Sequence, residues 1–270
     1  MTLVIHVLER TDTRLLGALR CVDASTGAVL TELLQVRVAG ARIRRNRSGL
    51  YIIASADPPL AAHEAEFDAP PSTPALGSVE LTATLEDPAG RYLPRTATLA
   101  LPRDPLPANA AQADSLFQPI QIAMFPASTA SVGANWSVLR VSVRETASSD
   151  ALGGALLLVT SGANTLGRGL TDWRGEALVA VPGVPVTTWS EAPDAVVVSE
   201  ISAQLEVVFD PATGRRTPQA DVRAGRTPPV LPLVNPDALA AQRAVLPHAS
   251  AAVQLAAGRS QTVSFPLALP

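Results

Sequence analysis

A chain of 270 residues with a formal net charge of −3 and 17% charged residues has no global field to attract nucleic acid or an anionic surface. All 21 of its Lys+Arg residues are arginine, which excludes a P-loop lysine, a Schiff base or a Ser-Lys dyad, and the single Cys21 excludes a disulfide framework and a cysteine-rich zinc site. Aromatic residues make up only 4% and 24 residues are proline, so the apolar payload falls to Val, Leu and Ile, which favours strands over an aromatic-lined ligand cavity.

Period-2 alternation begins at once, with Leu3, Ile5 and Val7 on one side of a predicted strand. This start lacks the basic and apolar regions of a signal peptide, so cytoplasmic synthesis is expected, and no apolar run approaches a membrane span. Asp23-Ala24-Ser25-Thr26-Gly27 reads as a turn, as do Asp87-Pro88-Ala89-Gly90 and Asp210-Pro211-Ala212-Thr213-Gly214. In each, Asp can bond its own backbone and Gly can take positive φ. Asn46-Arg47-Ser48-Gly49 precedes an apolar strand, and Asp172-Trp173-Arg174-Gly175 repeats that form, so the two halves read as versions of one plan.

Residues 102–119 are rich in proline and small residues without periodicity and are assigned as a linker. It divides a predicted N-terminal β-sandwich, residues 1–101, from a second sandwich over 120–270. Within the second, residues 211–248 form an excursion from the sheet. Its prolines at 228, 229 and 232 bar a central strand, and Asn235 can cap a helix with Pro236 at its first position, running to Leu246 before Pro247. The sheet resumes with Ala251–Leu255 and Gln261–Leu269. The expected class is therefore all-β, two sandwiches with a proline-rich, partly helical insertion in the second.

The second half carries a more particular pattern. A strand, Val138–Arg144, is followed by a Gly153-Gly154-Ala155 step, then by Thr171-Asp172-Trp173-Arg174-Gly175, an alternating strand and a Pro182-Gly183 corner, with a last strand after Ala257-Gly258. This resembles the carboxypeptidase regulatory-like domain, a transthyretin-like (prealbumin-like) β-sandwich, over roughly residues 136–183 and 250–269. The resemblance implies a fold, with Thr171–Gly175 as a hairpin, and almost no chemistry. The usual D-x-x-T-G first turn is replaced here by Glu145–Asp150, and the excursion is longer than a plain member needs.

No catalytic, metal or cofactor-binding set is expected. G-x-S-x-G and H-E-x-x-H are absent, and Gly167-Arg168-Gly169 lacks the third glycine of a dinucleotide loop. His63, Glu66 and Asp68 would have to converge for a metal site, but alternation sets His63 opposite Glu66, and a solvated acidic loop is the reading preferred. Arg42, Arg44, Arg45 and Arg47 place four guanidiniums in six positions before a hairpin, and are the best contact candidates in the first half. Most such clusters are simply solvated turns; as a contact, and without interleaved aromatics, they suit a protein partner better than nucleic acid. Of the three tryptophans, Trp136 and Trp189 read as covers for sandwich ends and Trp173 as an interface anchor.

These features lead to an expectation of a non-catalytic structural or adaptor protein. Its partners would be other protein subunits of an assembly such as a phage-tail-like or contractile injection particle, with no nucleic acid, membrane span or small-molecule ligand. The alternative is a carbohydrate-binding or surface-adhesion module using the tryptophans. An exposed apolar patch, or an arm detached from the body at residues 211–248, would favour the assembly reading.

Overall fold

A computed structural model describes residues 14–65, 71–184, 188–189, 196–197 and 200–270. The predicted strand at residues 3–7, together with His6, Glu66, Asp68 and the side chain of Trp189, lies outside what it describes. The first strands are β1 (Gly17–Asp23), β2 (Gln35–Val38), β3 (Ala41–Arg45), β4 (Tyr51–Ala56), β5 (Val79–Glu86), β6 (Arg95–Leu101) and β7 (Ile120–Met124), with a short helix α1 (Ala61–Ala65) after β4. They form one seven-stranded sheet in the order β6-β5-β2-β3-β4-β1-β7.

The later strands are β8 (Ser137–Glu145), β9 (Ala151–Gly153), β10 (Leu156–Ser161), β11 (Asn164–Leu170), β12 (Glu176–Val181), β13 (Thr188–Trp189), β14 (Val196–Val197), β15 (Ile201–Val208), β16 (Arg215–Thr217), β17 (His248–Leu255) and β18 (Ser260–Leu267). Helices α2 (Gln219–Arg223) and α3 (Pro236–Ala241) lie between β16 and β17. Among the described residues, β13 and β14 pair only with each other. The protein is thus all-β in class.

The chain falls into two units of interleaved segments. One holds the described residues up to Arg20 with Val36–Ala83 and Thr98–Gln121; the other holds Cys21–Gln35, Thr84–Ala97 and Ile122–Pro270. In the second unit a four-stranded sheet, β11-β10-β15-β17, faces a sheet in which β12 and β9 pair with β8, β16 with β9, and β18 runs parallel to β8. Alternation sends one side of each strand into the space between. Leu139, Val141 and Val143 of β8, Leu157 and Val159 of β10, Val179 of β12 and Leu205 and Val207 of β15 are all fully buried there. Each such side chain contributes about 1.5–3 kcal/mol by leaving water, so this layer is the principal source of stability in the unit.

In the first unit, β1 pairs with β4 from Gly17↔Ile53 to Leu19↔Tyr51, and β3 with β4 from Ala41↔Ala56 to Arg45↔Tyr51, with an irregularity between Arg42 and Ile43. The proline-rich residues 102–119 are a hydrogen-bonded loop. The Asp104 N–H donates to the Asp114 carbonyl at 3.0 Å, the Leu116 N–H to the Asp104 carbonyl at 2.7 Å, and Arg103 Nε to the Ser115 carbonyl at 3.0 Å. The N–H of Leu106 and the amide of Asn109 donate to the Asp104 carboxylate and hold its pKa below the ordinary range.

Two expectations about elements need correction. The helix after Asn235 starts as expected, with the Asn235 side chain accepting from the N–H groups of Asp237 and Ala238, but it ends at Ala241, not Leu246. Pro236 and Leu239 are its only buried residues, residues 241–245 are exposed, with Val245 at 82%, and Leu246 alone returns to the core, so the intervening turn has no apolar face to hold it helical. Thr171–Gly175 does not close a hairpin. It carries the chain from β11 in one sheet to β12 in the other. Thr171 Oγ1 donates to the Leu152 carbonyl at 2.6 Å and accepts from the Ala155 N–H at 2.8 Å, while Val143 N–H donates to the Gly175 carbonyl at 2.8 Å. These bonds fix the two ends of the turn to different strands.

Candidate functional site

An apolar groove of about 670 Å³ in the second unit is lined by residues that include Tyr92, Leu93, Pro94, Asp172–Arg174 and the segment Pro229–Leu233. Its first wall is set by the Asp87 turn. Asp87 Oδ1 accepts from the Ala89 N–H at 2.9 Å, and Oδ2 from the N–H groups of Arg91 and Tyr92 at 2.9 and 3.2 Å. The chain that follows is pinned by the Leu93 N–H on the Phe125 carbonyl at 2.8 Å and the Ala127 N–H on the Arg91 carbonyl at 2.8 Å. Tyr92 then donates its hydroxyl to Asp23 Oδ2 at 3.0 Å. Burial and the Asp23 charge push the phenol pKa above its ordinary value, so the hydroxyl keeps its proton.

The second wall is the proline-rich segment. Pro232, Val234 and Pro236 are buried while Leu231 and Leu233 are exposed, the alternation of an extended segment lying on a surface. The Thr96 N–H donates to the Val234 carbonyl at 2.8 Å, and Val234 packs with Phe125, Leu156, Leu170, Val208 and Leu239. The Gly153-Gly154 step makes this possible: a Cβ at 153 would stand 2.7 Å from Pro232 Cγ, and one at 154 would stand 2.8 Å from Val234 Cγ1. This part of the 211–248 excursion is therefore seated on its own unit and is not a detached arm. What it offers outward is Val230, Leu231 and Leu233, exposed by 53%, 43% and 38%.

The floor comes from the Asp172 turn. Asp172 Oδ1 accepts from the N–H groups of Arg174 and Glu176 at 2.8 and 3.1 Å, and Oδ2 accepts from Arg174 Nη2 and Nε at 2.7 and 3.0 Å and from Ser128 Oγ at 3.1 Å. Trp173 is half-buried, with the Arg174 guanidinium 5.9 Å from its ring centroid. The side chains of Asp87, Tyr92, Asp172 and Arg174 are thus bonded within the unit, and Tyr92, Leu93, Pro94, Trp173 and Pro229–Leu233 give the groove an aromatic and aliphatic lining.

A second polar cluster in this unit has no counterpart in the sequence reading. Arg95, fully buried, donates to the Thr96 and Ala123 carbonyls at 3.0 and 2.7 Å and to Asp237 Oδ2 at 2.6 Å; Arg168 donates to Asp237 Oδ1 at 3.1 Å. Both guanidiniums lie against the Phe125 ring, at 5.8 and 5.6 Å. Burial alone would raise the Asp237 carboxyl, but the bonds and charges of Arg95 and Arg168 outweigh it and hold the pKa low, while burial lowers that of Arg95. The cluster clamps α3 to the unit, with Arg95 fully buried and the Asp237 side chain 59% exposed.

Among the sequence-predicted contact residues, Arg42, Arg44, Arg45 and Arg47 are exposed in the first unit. Strand alternation sets Arg42 and Arg44 on one side of β3, and Arg45 lies 5.8 Å from the Tyr51 ring. Trp136 is half-buried, and its carbonyl accepts the Gly258 N–H at 3.1 Å. His63 is buried, not solvated, and among the described residues no group of three or more His, Cys, Asp or Glu is placed to hold a metal. No helix among them is long and apolar enough to cross a membrane. No family model, curated protein or solved structure matches the chain.

Proposed function

We propose that the protein is a non-catalytic structural or adaptor component of a larger protein assembly, and that the groove beside Trp173 receives another subunit. The observation that carries this reading is the row of exposed Val230, Leu231 and Leu233 along a groove of about 670 Å³ whose Tyr92, Asp172 and Arg174 side chains are already bonded within the unit. Apolar area with satisfied polar neighbours suits a protein surface; a sugar would need free donors and acceptors. A phage-tail-like or contractile injection particle is the class of assembly we favour, and a carboxypeptidase regulatory-like sandwich the family we favour for the second half. The strand order β11-β10-β15-β17 against β8 and its neighbours supports a sandwich of that general kind.

The test is affinity purification of the tagged protein from its source cells. Wild type is expected to bring a stoichiometric protein partner in a particle well above the mass of the chain. Leu231→Asp should reduce recovery about tenfold or more, as loss of an interface anchor does. Val245→Asp, outside the groove, should leave it unchanged. A wild type recovered free, or a partner retained by Leu231→Asp, overturns the reading.

A further inference from the structure

The last two strands of the sandwich are edges. β17 pairs with β15 on one side, from Ile201↔Leu255 to Val208↔His248, and β18 pairs with β8 alone. The direction of the β17 backbone groups follows from three bonds. The Pro247 carbonyl accepts from the Phe209 N–H at 3.0 Å, so odd-numbered residues turn toward β15. The Ser202 carbonyl, opposite Gln254, turns away from β17 to accept from Ser161 Oγ at 3.0 Å. The Gln254 carbonyl is met from the other side by the Gln261 side-chain amide. Ser250, Ala252 and Gln254 therefore aim their N–H and C=O groups outward, and among the described residues only the Gln254 carbonyl has a partner there.

Edges of this kind are usually blunted by charge, proline or a bulge. β17 has none of these: its eight residues, His-Ala-Ser-Ala-Ala-Val-Gln-Leu, pair with β15 without interruption and contain no Asp, Glu or Arg. The sandwich's other free edge strands differ. β11 carries Arg168, β12 Glu176 and β16 Arg215 and Arg216, and β18 contains Pro266, which has no N–H to give. An open groove of about 750 Å³ is lined by Ala252–Gln254 of β17, by Ser260–Val263, and by Arg259 and Glu200, which are ion-paired at 3.0 Å.

We infer that β17 is a self-association edge, pairing antiparallel with β17 of a second copy about a two-fold axis through Ala251 or Ala252. The argument for a second copy is symmetry. Antiparallel self-pairing about either residue sets Val253 of one copy opposite an inward-facing residue of the other, and Ser250, Ala252 and Gln254 opposite outward-facing ones, so both cores stay on one side of a continuous eight-stranded sheet. A two-fold pairing sets each side chain against its own kind or a near neighbour, where any charge would meet a like charge. β17 has no such charge, and its centre is two alanines.

The proposal does not depend on the groove at Trp173, and sedimentation of the purified chain tests it. Wild type is expected at twice the 28.0 kDa of the chain across micromolar concentrations. Ala252→Pro removes one outward N–H and leaves the bonds to β15, a placement proline tolerates at an edge, and should weaken the dimer about tenfold or more. Circular dichroism checks that the variant folds; if it does not, Ser250→Arg with Ala252→Arg, which opposes like charges in either register, takes its place. A wild type that stays monomeric overturns the proposal, as does a dimer that survives these variants when folded.

Discussion

In both the turn that starts at Asn46 and the one that starts at Asp172, the first residue's N–H donates to the carbonyl four residues on, each at 2.9 Å, and the glycine N–H donates back to the first residue's carbonyl. In both, the side-chain Oδ1 accepts the N–H of the fifth residue, and the glycine holds φ near +80° or +73°. Yet the first closes an exposed hairpin between β3 and β4, while the second transfers the chain between two sheets and underlies the groove. The same local chemistry makes both turns. What rests on the turn decides how far either can change.

Replacing the glycines separates the two most strongly. A Cβ at Gly175 would stand 2.4 Å from the Val143 carbonyl oxygen, in addition to the cost of left-handed backbone, and β8 would have to move. Gly175→Ala should lower the unfolding free energy of its unit by about 3–4 kcal/mol in denaturant titration. At Gly49 the nearest atom is the tip of the Arg45 guanidinium, 3.5 Å away, which can swing aside. Gly49→Ala should cost only the backbone term, about 1 kcal/mol. Equal losses would mean that Gly175 is not packed as described.

The side chains give the next contrast. Asp172→Ala removes the acceptor of two backbone N–H groups, the Ser128 hydroxyl and the Arg174 guanidinium at a site only 9% exposed, and should cost about 2–3 kcal/mol. Asn46→Ala removes one bond in water and should cost about 0.5–1 kcal/mol. Thermal melts of the two variants beside wild type measure the difference. It narrows if Arg174 finds another carboxylate.

The turns themselves were legible because their information is local: Asp, Asn and Gly at fixed spacing determine which N–H each side chain can reach. The Asn235 cap and the alternation of β8 belong to the same class. The groove was not legible, because Tyr92, Trp173 and Leu231 are far apart in sequence and meet only when Pro232 and Val234 settle over the Gly153-Gly154 step. One signal was present and unused. Arg95 shares the buried phase of β6 with Ala97, Leu99 and Leu101, and a charged residue in that phase requires a partner. Sequence could not name the partner, Asp237, which lies 142 positions away.

The smallest effect tests whether the Asn46 turn differs from the Asp172 turn in surroundings alone. Asn46→Asp keeps the Oδ1 that accepts the Leu50 N–H and adds a negative charge among Arg42, Arg44, Arg45 and Arg47, all exposed. At the surface such charges gain little, so the variant should be about 0.3–0.5 kcal/mol more stable at low ionic strength. The gain should fade toward zero in molar salt, where the Debye length shrinks to about 3 Å. At Asp172 the same carboxylate is held in place by Arg174 and Ser128 and shielded from solvent. A salt-independent gain at Asn46 would show that its carboxylate had become fixed to one arginine, and the contrast between the two turns would then lie in partner geometry, not in exposure.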